Sequence, residues 1–168
     1  MTDHTRLLDA LNTRFGDLER PQSDVDLSAL TAMATRGSCR NFKSEPVPYD
    51  LIRILCATAL SAPTKSDLQQ RDAVFNAIAD AAIALGAFVT AAEAVGLGCC
   101  PISAVRNEAA AVSDMLDLPD HVFPFAGLAV GYPAAPPKLS MRLPLGVTTH
   151  VDRYSEEGLK DAVKAYDA

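Results

Sequence analysis

The sequence predicts a globular domain that combines several helices with at least one buried strand. The chain has 168 residues, of which 49% are hydrophobic and 21% are charged, so it is long and apolar enough to build a core. Apolar residues recur at helical spacing in several segments, and a short apolar run at 122–132 is bounded by turn residues, as is typical of a buried strand. One strand is too few for a stable sheet, so this pattern alone leaves the sheet incomplete.

The amino-terminal part predicts two helices joined by a linker at 21–26. A first helix at 5–19 is indicated by apolar residues at helical spacing, namely Leu7, Leu8, Leu11 and Phe15. Because this segment is otherwise polar, we expect an N-terminal arm at 1–25 and a main domain at 26–168. Ser28 lies in a capping segment for a short second helix that ends near Arg36.

Two longer helices are predicted in the middle of the chain. The prolines at 45–48 favour an extended connector, after which a helix begins near Asp50 and ends at 62–63. Its predicted inner face consists of Leu51, Ile52, Ile54, Leu55, Ala59 and Leu60. An Ala-rich helix follows at 72–95 and closes at Gly96 and Gly98. We expect this helix to be buried in a protein core rather than to span a membrane, because it carries acidic residues.

The carboxy-terminal part predicts an amphipathic helix, a strand and a long extended segment. The helix is expected at 108–116 and the buried strand at 122–132. The Pro-rich stretch at 133–144 suits an extended path over a surface, and 147–154 is expected to form an edge strand or an exchanged strand. A weak helix ends the chain.

Composition and simple motifs exclude several classes of function. The net charge of −6 argues against a nucleic-acid partner, and the first 20 residues lack the apolar core of a signal peptide, so we expect a cytoplasmic protein without a membrane partner. The four cysteines form no C-x-x-C pair, and the histidines lack ligand spacing to them, so no metal site is expected. No P-loop, G-x-S-x-G or G-x-G-x-x-G motif occurs.

Three separated segments contain residues suited to binding a ligand. Arg36, Ser38 and Arg40 can present guanidinium groups and a hydroxyl to one anion, although a solvated helix terminus would look the same. The polar loop at 63–69 is either a binding loop or a plain capped turn. The segment at 98–103 predicts a short loop with free backbone N–H groups, or alternatively a helix cap followed by a strand. Arg142 could return to the same anion.

Together these segments resemble the FMN-dependent nitroreductase family. The resemblance covers residues 31–154, and its motifs occur in the family's order. They are R-x-S-x-R-x-F at 36–42, V-P at 47–48, A-P-T-x-x-D-x-Q at 62–69, A-A-E-A-V-G-L-G-C-C-P-I at 91–102, L-x-L-P-D at 116–120, A-V-G-Y-P at 129–133, R-L-P-L at 142–145 and H-V-D-R-Y at 150–154. Each motif is weak alone, and the combination is specific.

The resemblance implies an α+β fold with a central, mostly antiparallel sheet flanked by helices. It further implies an intertwined homodimer with FMN at the subunit interface. The implied activity is that of an NAD(P)H oxidoreductase, in which the nicotinamide gives hydride to flavin N5 and the flavin then reduces a nitroaromatic, a quinone or a similar acceptor. The alternatives are a flavin-binding protein without turnover, or a family member with another reaction, such as a dehalogenase, a dehydrogenase or a flavin-fragmenting enzyme.

The resemblance also assigns residues to the phosphate end of FMN. Arg36, Ser38 and Arg142 match phosphate contacts, and Arg40 matches the positive group beside the N1/O2 edge of the flavin. Gly37 lies in the same cofactor-binding element, at a position where relatives often carry a basic or polar residue. This glycine removes one potential contact.

Other cofactor-binding positions match the ring system. Asp67 matches a position that usually holds Asn at the pyrimidine edge, and Gln69 belongs to the same loop. An aspartate there can accept from the imide N–H but cannot donate to O4. Pro101, Ile102 and Ser103 form the backbone segment opposite, in which the Ser103 amide matches the donor to N5.

One departure from the family concerns the junction near residues 70–72. Relatives place several dozen residues there, including two strands and a helix, whereas this chain passes directly into the Ala-rich helix. Either central strands have been lost, or a segment is missing from the printed sequence. We favour the second explanation because deleting core strands would expose apolar surface.

Overall fold

The computed structural model describes residues 3–16, 18, 27–64 and 73–167. These residues fall into two compact units. Unit 1 comprises the described parts of Met1–Gly37 and Pro137–Ala168, and unit 2 comprises those of Ser38–Pro136. Each unit has its own core and is described by itself.

Unit 1 is built on two packed helices. Helix α1 (Asp3–Phe15) and helix α2 (Ser28–Thr35) occupy the positions that the sequence predicts for its first two helices. Helix α1 ends at Gly16, whose φ of 90° is a left-handed conformation that glycine adopts without a steric penalty. Between the two helices lies a small apolar core of Leu7, Ala10 and Ala34.

The carboxy-terminal part of unit 1 is extended and then helical. Residues 137–144 contain no helix or strand, as the prolines predict. The short helix α6 (Leu145–Thr148) follows, and α7 (Leu159–Tyr166) ends the chain in the expected weak helix. The strand expected at 147–154 is wrong. The main chain instead turns into α6 directly after Pro144, and the hydroxyl of Thr148 donates to the carbonyl of Pro144 at 3.2 Å.

Unit 2 contains the longer helices α3 (Tyr49–Leu60), α4 (Ala73–Ala94) and α5 (Ala109–Met115), close to their predicted bounds. The inner face predicted for α3 is only partly correct. Leu55 and Ala59 are buried, whereas Ile54 and Leu60 are 63% and 75% exposed. Helix α3 therefore buries a stripe narrower than its apolar composition indicates.

Helix α4 is much more exposed than the sequence predicts. Of its large apolar residues, Val89 is buried at the carboxy-terminal end, whereas Phe75 near the other end is 79% exposed. By length and composition the stretch Val74–Ala94 could cross a membrane, a test that core helices of water-soluble proteins also pass. The expectation of a buried helix is therefore wrong for most of α4, because α3 and β1 cover only part of its surface.

A two-stranded antiparallel sheet completes unit 2. Strand β1 (Gly98–Ile102) pairs with β2 (Gly127–Gly131), with Gly98 opposite Gly131 and Ile102 opposite Gly127. Strand β2 is shorter than the predicted strand at 122–132. The core packed under this sheet consists of Leu55, Val89, Ala92, Leu97 and Cys99.

The segment that precedes α3 runs beside this sheet. The amide of Cys39 donates to the carbonyl of Cys99 at 2.9 Å, and the amide of Lys43 donates to the carbonyl of Tyr132 at 2.8 Å. Phe42 forms an isolated antiparallel bridge with Pro133. Helices and an antiparallel sheet together confirm the α+β class.

Candidate functional site

Unit 1 brings together two arginines that are distant in the sequence. Arg36 follows the last residue of α2, and Arg142 lies in the extended segment before α6. Both line one cavity of about 400 Å³, together with Arg14 from the last turn of α1. The remaining walls are mainly apolar and include Leu11 and Met33. The cavity therefore has three arginines on a wall that is otherwise mainly apolar.

Arg14 is fixed by hydrogen bonds to main-chain carbonyl groups. Its Nε donates to the carbonyl of Ala34 at 2.9 Å, and Nη1 donates to the carbonyl of Ser140 at 3.3 Å. Its Nη2 donates to the carbonyl of Arg36. In return, the carbonyl of Arg14 accepts from the amide of Arg142 at 2.7 Å. One buried side chain thus connects the end of α2 to the segment that carries Arg142.

The three arginines influence one another electrostatically. Burial lowers the pKa of the Arg14 guanidinium, and the positive charges of Arg142 and Arg36 lower this pKa further. Arginine remains charged at neutral pH despite such shifts, so the cost appears as repulsion between cations. An anion in the cavity would offset that repulsion.

Gly37 lies where the main chain of unit 1 makes a close approach. A Cβ atom at this position would collide with the carbonyl oxygen of Lys138 and would lie 3.0 Å from Cβ of Pro137. The absent side chain therefore lets the segment that leads to Arg142 pass directly against the chain beside Arg36.

The other half of the first motif belongs to unit 2. Ser38 is half-buried and Arg40 is exposed, and between them Cys39 is buried against β1. The hydrogen bond from Cys39 to Cys99 holds this segment alongside the sheet. Ser38 and Arg40 therefore flank a residue that is fixed in the core of unit 2.

The third predicted segment is a strand rather than a loop. Pro101 pairs with Leu128 and Ile102 pairs with Gly127, so a loop with free amides is wrong for residues 98–102, and the alternative of a helix cap followed by a strand is confirmed. Ser103 follows the strand, is exposed, and opens a single 3-10 turn at Ala104–Arg106. Pairing with β2 explains the difference, because a partner strand takes up the main-chain groups that the sequence leaves unassigned.

Two predicted site residues, Asp67 and Gln69, lie outside the described residues, as does the junction at 70–72. Within the ranges that the structure describes, no group of three or more His, Cys, Asp or Glu residues could hold a metal ion.

Arg14 is the residue that the sequence reasoning missed. A usable signal existed, because Leu7, Leu11 and Arg14 follow the 4- and 3-residue spacing that places side chains on one helix face. A basic residue that continues an apolar face, just before a glycine helix end, is a candidate for bonding to carbonyl groups of a neighbouring element.

Comparison with known proteins finds similarity to nitroreductases and flavin reductases. A family model described as "Nitroreductase family" matches residues 69–132. A CR(VI) reductase of Pseudomonas sp. is 37% identical over 90 residues, which cover 54% of this chain and 37% of that protein. An FMN reductase (NADPH) of Bacillus subtilis is 36% identical over 102 residues, which cover 60% of this chain and 41% of the relative.

The likeness to solved structures extends further along the chain. The structure of NfrA1 from B. megaterium superposes with a TM-score of 0.75 at 25% identity, and covers 83% of this chain and 81% of that chain. Over residues 69–132 the chain is similar to the nitroreductase family, and the likeness in fold covers 83% of the chain. The sequence matches nevertheless span less than half the length of these two curated relatives.

Proposed function

We propose that this chain is an FMN-dependent NAD(P)H oxidoreductase of nitroreductase type, with a nitroaromatic, a quinone or a similar small molecule as the electron acceptor. The observation that carries the proposal is the convergence of Arg36 and Arg142, 106 positions apart, on one cavity in unit 1. Both residues match phosphate contacts of the family. The relatives include an FMN reductase (NADPH) of Bacillus subtilis, which supports the same activity.

The residues of unit 1 fit a phosphate group. Guanidinium groups bind phosphate oxygens through charge-assisted, paired hydrogen bonds. The pKa of Arg14 is lowered first by burial and then by the positive charges of Arg142 and Arg36, and a dianion would relieve the repulsion between these charges. Arg36 Nη2 is itself buried. The buried Nη2 of Arg36 and the exposed Arg142 together offer an anion a partly desolvated site.

The remaining assignments follow the family pattern position by position. Ser38 would add a hydroxyl donor to the phosphate, whereas Gly37 departs from the family pattern and offers no side-chain contact. Arg40 would place a positive charge near the pyrimidine edge, where negative charge accumulates on reduction. Asp67 and Gln69 would pair with the imide edge.

Pro101, Ile102 and Ser103 would support the opposite side of the ring. Bound FMN supplies the hydride and electron transfer chemistry, and the protein holds, shields and electrostatically tunes it. No catalytic acid or base is therefore assigned in this chain.

We also propose, from the resemblance to the family, how the protein is divided into domains, where it is located and how it assembles. The arm at 1–25, the FMN-binding domain at 26–168, a cytoplasmic location and a homodimer with FMN at the interface belong to this proposal. A segment missing near 70–72 is part of it, and the exposed face of α4 supports that view, since Val74 and Phe75 are 60% and 79% exposed. A measured mass several kDa above 17.8 kDa would indicate the extra segment, and a mass of 17.8 kDa would indicate a true deletion.

The activity is tested by the visible absorption spectrum of the purified protein, before and after anaerobic addition of NADPH or NADH. We expect a flavin spectrum that bleaches with a nucleotide and returns with a nitroaromatic or a quinone. A flavin that never bleaches would favour a binding protein without turnover. A colourless protein that takes up no added FMN would refute the proposal.

The phosphate assignment is tested by Arg36→Ala, with Arg53→Ala as a control on the exposed face of α3. Removing a charge-assisted phosphate contact is expected to weaken FMN binding by roughly tenfold or more, whereas the control keeps the parent affinity. Equal FMN affinity in both variants would remove the assignment.

A further inference from the structure

Arg14 connects the two chain segments that carry the proposed phosphate contacts. Its guanidinium group donates to carbonyl groups at Ala34 and Arg36 on one side, and at Ser140 on the other. Ser140 and Arg14 are 126 positions apart. We propose that Arg14 is a positioning residue for phosphate binding, which holds the Arg36 and Arg142 segments in the arrangement that grips one anion. This inference rests on the proposed function.

The geometry distinguishes Arg14 from a ligand-binding arginine. The side chain is 7% exposed, and its three donor nitrogens already bond to main-chain oxygens. The planar guanidinium carries its donors on three separate nitrogens and so reaches carbonyls that lie apart, whereas a lysine ammonium carries all its donors on one nitrogen. Three of its five N–H groups are held by main-chain oxygens, so the guanidinium is fixed in place, and we assign its effect on phosphate to the segments that it holds.

The positions of the carbonyls that Arg14 binds explain how it could orient the side chains of Arg36 and Arg142. Ala34 belongs to the last turn of α2, where the final helix carbonyls lack partners within the helix. The carbonyl of Arg36 lies in the residue whose side chain enters the cavity. Fixing that peptide group limits the directions available to the Arg36 side chain, and fixing the peptide of Ser140 does the same two residues before Arg142.

Arg14 also carries an energetic cost that a purely structural residue would avoid. Its charge lies near those of Arg36 and Arg142, and both lower its pKa. A neutral side chain would fill the space between α1 and α2 without this repulsion. The cost is offset when an anion binds, so the arrangement favours the ligand-bound protein.

The test compares FMN with riboflavin, which lacks the phosphate. Arg14→Met and Arg14→Lys are titrated with each flavin, and the ratio of the two dissociation constants is measured. We expect FMN binding to weaken by about tenfold in both variants, with riboflavin binding nearly unchanged, because a loss of orientation at charge-assisted contacts affects the phosphate alone. Arg14→Lys keeps the charge, so it carries the test if Arg14→Met fails to fold.

A matched control separates positioning from general packing. Leu27→Ala removes a half-buried side chain that packs against the same α1–α2 core, and Leu27 does not line the cavity. It should lower stability while leaving the FMN-to-riboflavin ratio at the parent value. A second readout requires no flavin: inorganic phosphate should raise the melting temperature of the parent more than that of Arg14→Lys.

The outcomes also separate this inference from the proposed function. If Arg36→Ala and Arg142→Ala change the FMN-to-riboflavin ratio while the Arg14 variants do not, the positioning role alone is wrong. If none of these variants changes the ratio, the phosphate assignment fails and the positioning role fails with it. A parallel loss of FMN and riboflavin binding in the Arg14 variants would reduce Arg14 to a packing residue.

Discussion

Replacing Gly98 with alanine should destabilise unit 2, because β1 has no room for a side chain at this position. A Cβ atom there would lie 2.6 Å from both Cβ and Sγ of Cys39. Cys39 cannot move away easily, since it is buried and its amide donates to the carbonyl of Cys99 at 2.9 Å. Overpacking of this kind costs about 1–3 kcal/mol.

Replacing glycine with alanine also has a smaller stabilising effect, which can be measured separately at a position where the methyl group fits. Gly→Ala lowers the entropy of the unfolded chain and stabilises by about 0.4–1 kcal/mol where the new methyl group fits. Gly86 in α4 is such a site, since nothing lies within 4 Å of a Cβ atom there. We therefore expect Gly98→Ala to lose about 1–2 kcal/mol net and Gly86→Ala to gain about 0.5–1 kcal/mol.

Urea unfolding followed by far-ultraviolet circular dichroism tests both values. The urea midpoint should fall for Gly98→Ala and rise for Gly86→Ala. Adding Cys39→Gly to Gly98→Ala should recover part of the loss, because it removes both colliding atoms, and a double-mutant cycle measures that coupling. An unchanged midpoint for Gly98→Ala would refute the reasoning, since it would mean that β1 and the Cys39 segment separate without cost.

Three further outcomes are expected. Leu55→Ala should lower the free energy of unfolding by about 2–5 kcal/mol, because Leu55 is 3% exposed. Phe75→Ser, at an exposed position, should lower it by less than about 0.5 kcal/mol. Comparable urea midpoints for the two variants would contradict the described core. Inorganic phosphate, compared with chloride at equal ionic strength, should raise the melting temperature of the parent by about 2–4 °C per kcal/mol of binding. Arg142→Gln should reduce that rise, and an undiminished rise would place phosphate elsewhere. In native protein a thiol reagent should label exposed Cys56 well before buried Cys99, and simultaneous labelling, read by mass spectrometry, would show that the core of unit 2 opens readily.

The helices could be predicted because their signals are local. Apolar spacing, prolines and the glycine at 96 place α1 to α5 within a few residues of their observed bounds. For the segment of strand β1 the sequence left a loop and a helix cap followed by a strand as alternatives, because glycine and proline have low intrinsic preference for a strand. Its pairing with β2, some 30 residues later, is a tertiary contact that local preference does not contain.

For the candidate site, too, some features could be predicted from the sequence and others only from the folded chain. Arg36 and Arg142 could be selected from the sequence because each occurs in a family motif, and Arg36 also because guanidinium groups suit an anion. That the two line one cavity follows only from the folded chain. Whether their side chains contact phosphate stays a prediction until the binding experiments are made.

The sequence by itself determined the helical segments other than α6, and which residue types could bind a phosphorylated cofactor, since both depend on chemistry within a few neighbouring residues. The tertiary structure alone decided which faces are covered and which distant groups meet. Helix α4 is as apolar as a core helix, yet much of it is exposed because, among the described elements, α3 and β1 are the main ones that pack on it. Arg14 resembles a surface arginine in the sequence, and it becomes a buried connector because the fold brings the carbonyl of Ser140 to it across 126 positions.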